Sequence, residues 1–183
     1  MEKKITTPVT KDKIEGLCAG DSVLISGVIY TARDAAHERM VNNFKETGTF
    51  PIDLKDTVIY YAGPCPAKPG EVIGSCGPTT AGRMDAYAPT LLDNGLGAMI
   101  GKGVRNSAVT EAMKRNKCVY FGAIGGAGAL IAECIKSSEV VAYDDLGTEA
   151  IRKLIVEDFP VVVLTDCNGN DLYKSEREKY RKA

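Results

Sequence analysis

Apolar residues follow two rhythms along this chain. From Ser22 to Tyr30 they are dense and β-branched (Val23, Ile25, Val28, Ile29), which predicts a strand. Residues 32–45 then read as a helix, and Thr31 with Asp34 three positions on has the form of a capping box. Thr57–Tyr61 is a short apolar run, read as a strand, and 63–70 and 74–78 are loops by their glycines and prolines. Thr79 or Thr80 can cap a helix that runs to about Asp93 and ends at Asn94–Gly95. Ala98–Ile100 reads as a strand ending at Gly101–Lys102–Gly103. The remainder alternates: helix 106–115, strand 118–121, a glycine-rich turn, helix 128–135, strand 139–143, helix 148–158 and strand 161–165. Asn168–Gly169 is a hairpin-turn signal. Such alternation predicts an α/β fold with a mixed sheet, as one domain over residues 1–172 followed by a charged C-terminal tail at 173–183.

Composition narrows this picture. At 183 residues the chain is long enough for a core that needs no staples. Its 23 basic and 24 acidic residues nearly cancel, which argues against sequence-independent nucleic-acid binding. Six cysteines stand at 18, 65, 76, 118, 134 and 167, none in a C-x-x-C pair, and His37 is the only histidine. A zinc site with close-set ligands is therefore not expected, nor is a disulfide scaffold. The first residues lack the apolar core of a secretion signal and no stretch reaches the length of a membrane span, so a cytoplasmic protein without membrane contact is expected.

Five polar residues fall at junctions between elements. Arg33 opens the first long helix, Thr79 and Thr80 open the next, Arg83 follows Thr79 by four positions and so shares its helical face, and Lys102 sits between two glycines after a strand. Helix N-termini and arginine forks suit a carboxylate, and flanking glycines let backbone approach a ligand, so together they suit a small dianion. Taken singly, each residue reads more plainly as a cap, a solvated helix face or an exposed turn.

Other motifs fail. Ile131 breaks a dinucleotide fingerprint at Gly126–Gly128, and Leu96 and Gly103 break a phosphate loop at Gly101–Lys102. Asp34 and His37, three apart on a helix, read as a surface pair rather than a catalytic dyad, and Cys65 and Cys76 as small apolar groups rather than metal ligands.

Four blocks in order carry a resemblance: Gly27-Val28-Ile29-Tyr30-Thr31-Ala32-Arg33-Asp34-Ala35-Ala36-His37, Tyr60-Tyr61-Ala62-Gly63-Pro64, Gly77-Pro78-Thr79-Thr80-Ala81-Gly82-Arg83-Met84-Asp85 and Gly101-Lys102-Gly103. Spanning about residues 5–165, the chain resembles the C-terminal domain of class I iron–sulfur fumarases and the β subunit of tartrate dehydratases. The resemblance implies a swivelling β/β/α domain and reversible hydration of fumarate to (S)-malate. It implies a 4Fe–4S cluster ligated by a separate α subunit rather than by this chain, in an α2β2 assembly. It assigns substrate carboxylates to Arg33, Arg83 and Lys102, with Thr80 beside them, a proton-transfer role to Thr79, and support to Asp34 and His37. Cys65 and Cys76 stand where the family carries other residues, so no role passes to them. A tartrate dehydratase β subunit and a non-catalytic anion-binding module are the alternatives.

Overall fold

A computed structural model describes residues 2–181. In chain order the elements are β1 (Lys3–Thr6), α1 (Lys11–Ile14), β2 (Ser22–Thr31), α2 (Asp34–Thr47), β3 (Val58–Tyr60), a 3-10 turn (Ala81–Met84), α3 (Ala88–Asp93), β4 (Ala98–Gly101), α4 (Ser107–Asn116), β5 (Val119–Gly122), α5 (Gly128–Glu133), β6 (Ile135–Ala142), a second 3-10 turn (Asp144–Glu149), β7 (Ile151–Thr165) and α6 (Leu172–Lys179). Strands β1 to β5 run parallel as neighbours, and β7 runs antiparallel to β2, β5 and β6. Because β7 bonds both β2 and β5, the ring β2–β3–β4–β5–β7 closes on itself.

Period two along the strands sorts two cores. Val58, Tyr60, Ala98, Ile100, Val119 and Phe121 point into the ring, where they meet Ile25, Ile29, Phe159 and Val163. Ile59, Met99 and Tyr120 point outward and are covered by Met40 of α2, Leu91 of α3 and Met113 of α4. Each such fully buried large side chain contributes about 2 kcal/mol. Helices thus cover one face of the ring, giving the mixed, layered β/β/α architecture. None of the helices among the described residues is long and apolar enough to cross a membrane.

Two predicted elements are otherwise in the structure. Residues 148–158 form no α-helix: Thr148 and Glu149 end the second 3-10 turn, and Ile151, Leu154 and Ile155 imitate helical spacing but lie in β7, which pairs with β2 between residues 152 and 162. Their burial follows the strand: Ile151 lies in the core beneath the helices and Leu154, an odd number of positions on, in the ring interior. Nor do residues 79–93 form one helix. Past Tyr60, strands β3 and β4 part, and the extended segment 78–81 enters the gap: the Thr79 amide donates to the Tyr61 carbonyl (2.6 Å), the Lys102 amide to Thr79 (3.3 Å) and the Ala81 amide to Lys102 (2.8 Å). Backbone groups claimed in this way cannot join a helical ladder. Only the short turn Ala81–Met84 and α3 remain helical, so Thr79 and Arg83 share no helix face.

Thr31 also differs from expectation. It ends β2, and its hydroxyl accepts the Arg152 amide, while Arg33 occupies the N-cap position of α2. Residues 173–179 of the expected tail belong to α6, which starts at Leu172 and is capped by Asp171, and Asn168–Gly169 make the tight turn that leads into it. Residues 182 and 183 of that tail lie outside the described residues.

Candidate active site

In open α/β sheets the ends of neighbouring parallel strands are where ligands find loop backbone and helix starts. Here β2 leads to Arg33, β3 to the Tyr61–Gly63 corner, β4 to Lys102 and β5 to the glycine turn at 123–126. Segment 78–81 and the Ala81–Met84 turn add Thr79, Thr80 and Arg83 beside them.

Arg33 is held from three sides. Its carbonyl accepts both the His37 amide (2.8 Å) and the His37 Nδ1 (2.9 Å). Its guanidinium donates to the Glu149 carboxylate through Nη2 (2.7 Å), and the other Glu149 oxygen accepts the Ala35 amide in the first turn of α2 (3.0 Å). Gly63 lies against the guanidinium so closely that a β-carbon there would come within 2.8 Å of Nη1. Arg83 forms an ion pair with Asp34, its side chain half exposed. Asp34 therefore does not pair with His37, and His37 is no surface residue. It is fully buried, edge-on to Tyr61, with Nε2 unpartnered among the described residues. Burial holds its pKa down at about 4, so the imidazole is neutral at physiological pH.

Lys102 is exposed, and its side chain lies against the turn after β5: a β-carbon on Gly125 would stand 3.9 Å from Nζ. Thr79 is half-buried, with its backbone bonded on both sides to Tyr61 and Lys102. Thr80 is exposed and opens the Ala81–Met84 turn. The structure thus brings all seven expected residues to one region: Arg33 with His37, Arg83 with Asp34, and Thr79 and Thr80 with Lys102.

Sequence reasoning missed three residues beneath and beside this rim. Glu149 was hidden inside a segment read as helix. Arg105 and Asp85 form a buried ion pair (2.6 Å) under the Arg83 turn, with the Arg105 guanidinium between the Tyr61 and Tyr120 rings and Asp85 also accepting the Asn106 amide (2.8 Å). An arginine two residues after Gly103 gives no local sign of burial.

Among the described residues no three His, Cys, Asp or Glu side chains come together as metal ligands. The Cys76 thiol is buried and pushed up to about 12 by that burial, whereas Cys65 is exposed. Cys65 and Cys76 do not fit an iron–sulfur cluster.

Fold and rim together define a swivelling β/β/α domain with cations gathered at the ends of its parallel strands. The sequence profile described as Fumarase C-terminus matches residues 2–176, and the chain belongs to that family. It is 44% identical over 152 residues to "Fumarate hydratase class I, aerobic" of Escherichia coli strain K12, a match covering 82% of this chain and 28% of that protein. With "Fumarate hydratase 2" of Leishmania major it shares 41% identity over 157 residues, 84% of this chain and again 28% of the relative. The "Putative L(+)-tartrate dehydratase subunit beta" of Methanocaldococcus jannaschii is 35% identical over 177 residues, 93% of this chain and 91% of that protein. The chain therefore spans under a third of the fumarate hydratases and nearly all of the tartrate dehydratase subunit.

Proposed function

We propose that this chain is the β subunit of a hydro-lyase that reversibly adds water to fumarate to give (S)-malate, sharing its site with an α subunit in an α2β2 assembly. The observation that carries the reading is the meeting of Arg33, Arg83 and Lys102 around Thr79 and Thr80 at the ends of parallel strands. Arginine forks bind carboxylates in a fixed plane and lysine adds a point charge, which suits a substrate with a carboxylate at each end. The Thr79 backbone is bonded on both sides, so its hydroxyl position depends on one torsion only. We assign that hydroxyl a proton-relay role; a threonine is too weak a base to act unaided.

Formal charge supports a shared site. Arg33, Arg83 and Lys102 are offset by Glu149 and Asp34, leaving a surplus of one positive charge against the two of a dicarboxylate. We assign the missing neutralisation, the iron–sulfur cluster and its ligands to the α subunit. Free cysteines, two of them exposed, suit the reducing cytoplasm, where we place the assembly. We take residues 1–172 as the family domain, with α6 from Tyr173 onward in its charged C-terminal extension.

Tartrate dehydration is the second reading, favoured by the near-complete match to a tartrate dehydratase subunit. The test is anaerobic assay of fumarate hydration and tartrate dehydration by this chain, alone and mixed with its cluster-loaded α subunit. Turnover only in the mixture supports the subunit reading, and the preferred substrate decides between the two. Dicarboxylate binding without turnover in the mixture would instead favour a non-catalytic anion-binding module.

A further inference from the structure

We infer that Glu149 is the positioning residue of the site: it fixes the direction in which Arg33 presents its guanidinium, and through it sets affinity for the substrate carboxylate. This rests on the functional reading above. The two residues stand 116 positions apart in sequence, and Glu149 makes two contacts with the start of α2, one oxygen on Arg33 Nη2 (2.7 Å) and the other on the Ala35 amide (3.0 Å). Both side chains are about four-fifths buried. A carboxylate spanning a guanidinium and a free helix amide has no second orientation that keeps both bonds. Gly63 also closes in on Arg33: a β-carbon there would meet Nη1 at 2.8 Å and the Thr148 carbonyl at 3.1 Å. The guanidinium thus packs against both that corner and the Asp144–Glu149 turn.

The turn itself is strapped to α2 a second time, by the two-pronged Arg39–Asp145 pair (2.7 and 2.8 Å). That pair ties down the same turn without touching Arg33. It separates the effect of holding the turn from the effect of holding the arginine.

The experiment compares wild type, Glu149→Gln and Asp145→Asn in the assembled αβ enzyme, reading KM and kcat for the dicarboxylate that the wild type turns over. Glutamine fits the space but has one acceptor oxygen, so it loses one of the two contacts. For Glu149→Gln we expect KM to rise about tenfold with kcat within about twofold, and for Asp145→Asn wild-type values. In an Arg33→Lys background the same Glu149→Gln change should add almost nothing, because the group that it orients is gone. Four results would overturn the inference: an unchanged KM in Glu149→Gln; a lowered KM, which makes Glu149 a competitor of substrate for Arg33; an equal KM rise in Asp145→Asn; or full additivity with Arg33→Lys. A wild-type assembly inactive on both dicarboxylates overturns the functional reading and this inference with it. An active wild type with an indifferent Glu149→Gln overturns the inference alone.

Discussion

At the scale of single residues, the buried His37 sets a pH dependence that exposed groups cannot. Its pKa falls from 6.5 to about 4 on folding because burial penalises the imidazolium. Between those values the unfolded chain binds more protons than the folded one, so stability is lost as pH falls from about 6.5 towards 4, by about 3 kcal/mol at the lower end. Urea midpoints at pH 7 and pH 5 should therefore differ more for wild type than for His37→Gln. Arg83→Ala is expected to act on the other side of the fold–function divide. The side chain is half exposed and, among the described residues, pairs with Asp34 alone, so unfolding midpoints should stay near wild type while KM in the assembled enzyme rises about tenfold and turnover falls. The arginines, threonines and lysine of the rim were legible as residue types at junctions. Their partners were not: Glu149 reaches Arg33 across 116 positions and Arg105 reaches Asp85 across 20, and neither separation leaves a periodic signal.

Elements were legible wherever local pattern and long-range pairing agree. Strands at 22–30 and 98–100 and the helix at 106–115 were, since dense apolar runs in the strands and amphipathic spacing in the helix also match their burial. The pattern failed at 79–93 and 148–158, where backbone bonds to distant strands outweigh local preference. Gly27 is a position set by backbone within a strand that the pattern does reveal. It sits in β2 with φ +117, where the register against β7 shifts, and a β-carbon there would come within 2.3 Å of the Thr7 hydroxyl. Gly27→Ala should lower unfolding stability by about 2 kcal/mol, from the positive φ and the clash together. A second element-scale expectation concerns the turn that carries Arg83. Arg105→Met leaves Asp85 in a nearly buried place without its cation, and a loss of about 3 kcal/mol in thermal or urea unfolding is expected.

Across the whole molecule, strand ends, inserted segment and helix starts converge on one rim because the sheet is a ring rather than an open ribbon. Pairing of β7 with both β2 and β5 removes the edges that an open sheet of this kind would leave between them. The closed frame also has a consequence for how the protein is made. Strand β2 is complete once residue 31 has been synthesised, yet its antiparallel neighbour in the ring is residues 151–165. Until that segment is in place, β2 carries an open edge and the apolar residues meant for the ring interior have no lid. Folding must wait for that distant segment, which makes closure of the ring a slow, non-local step.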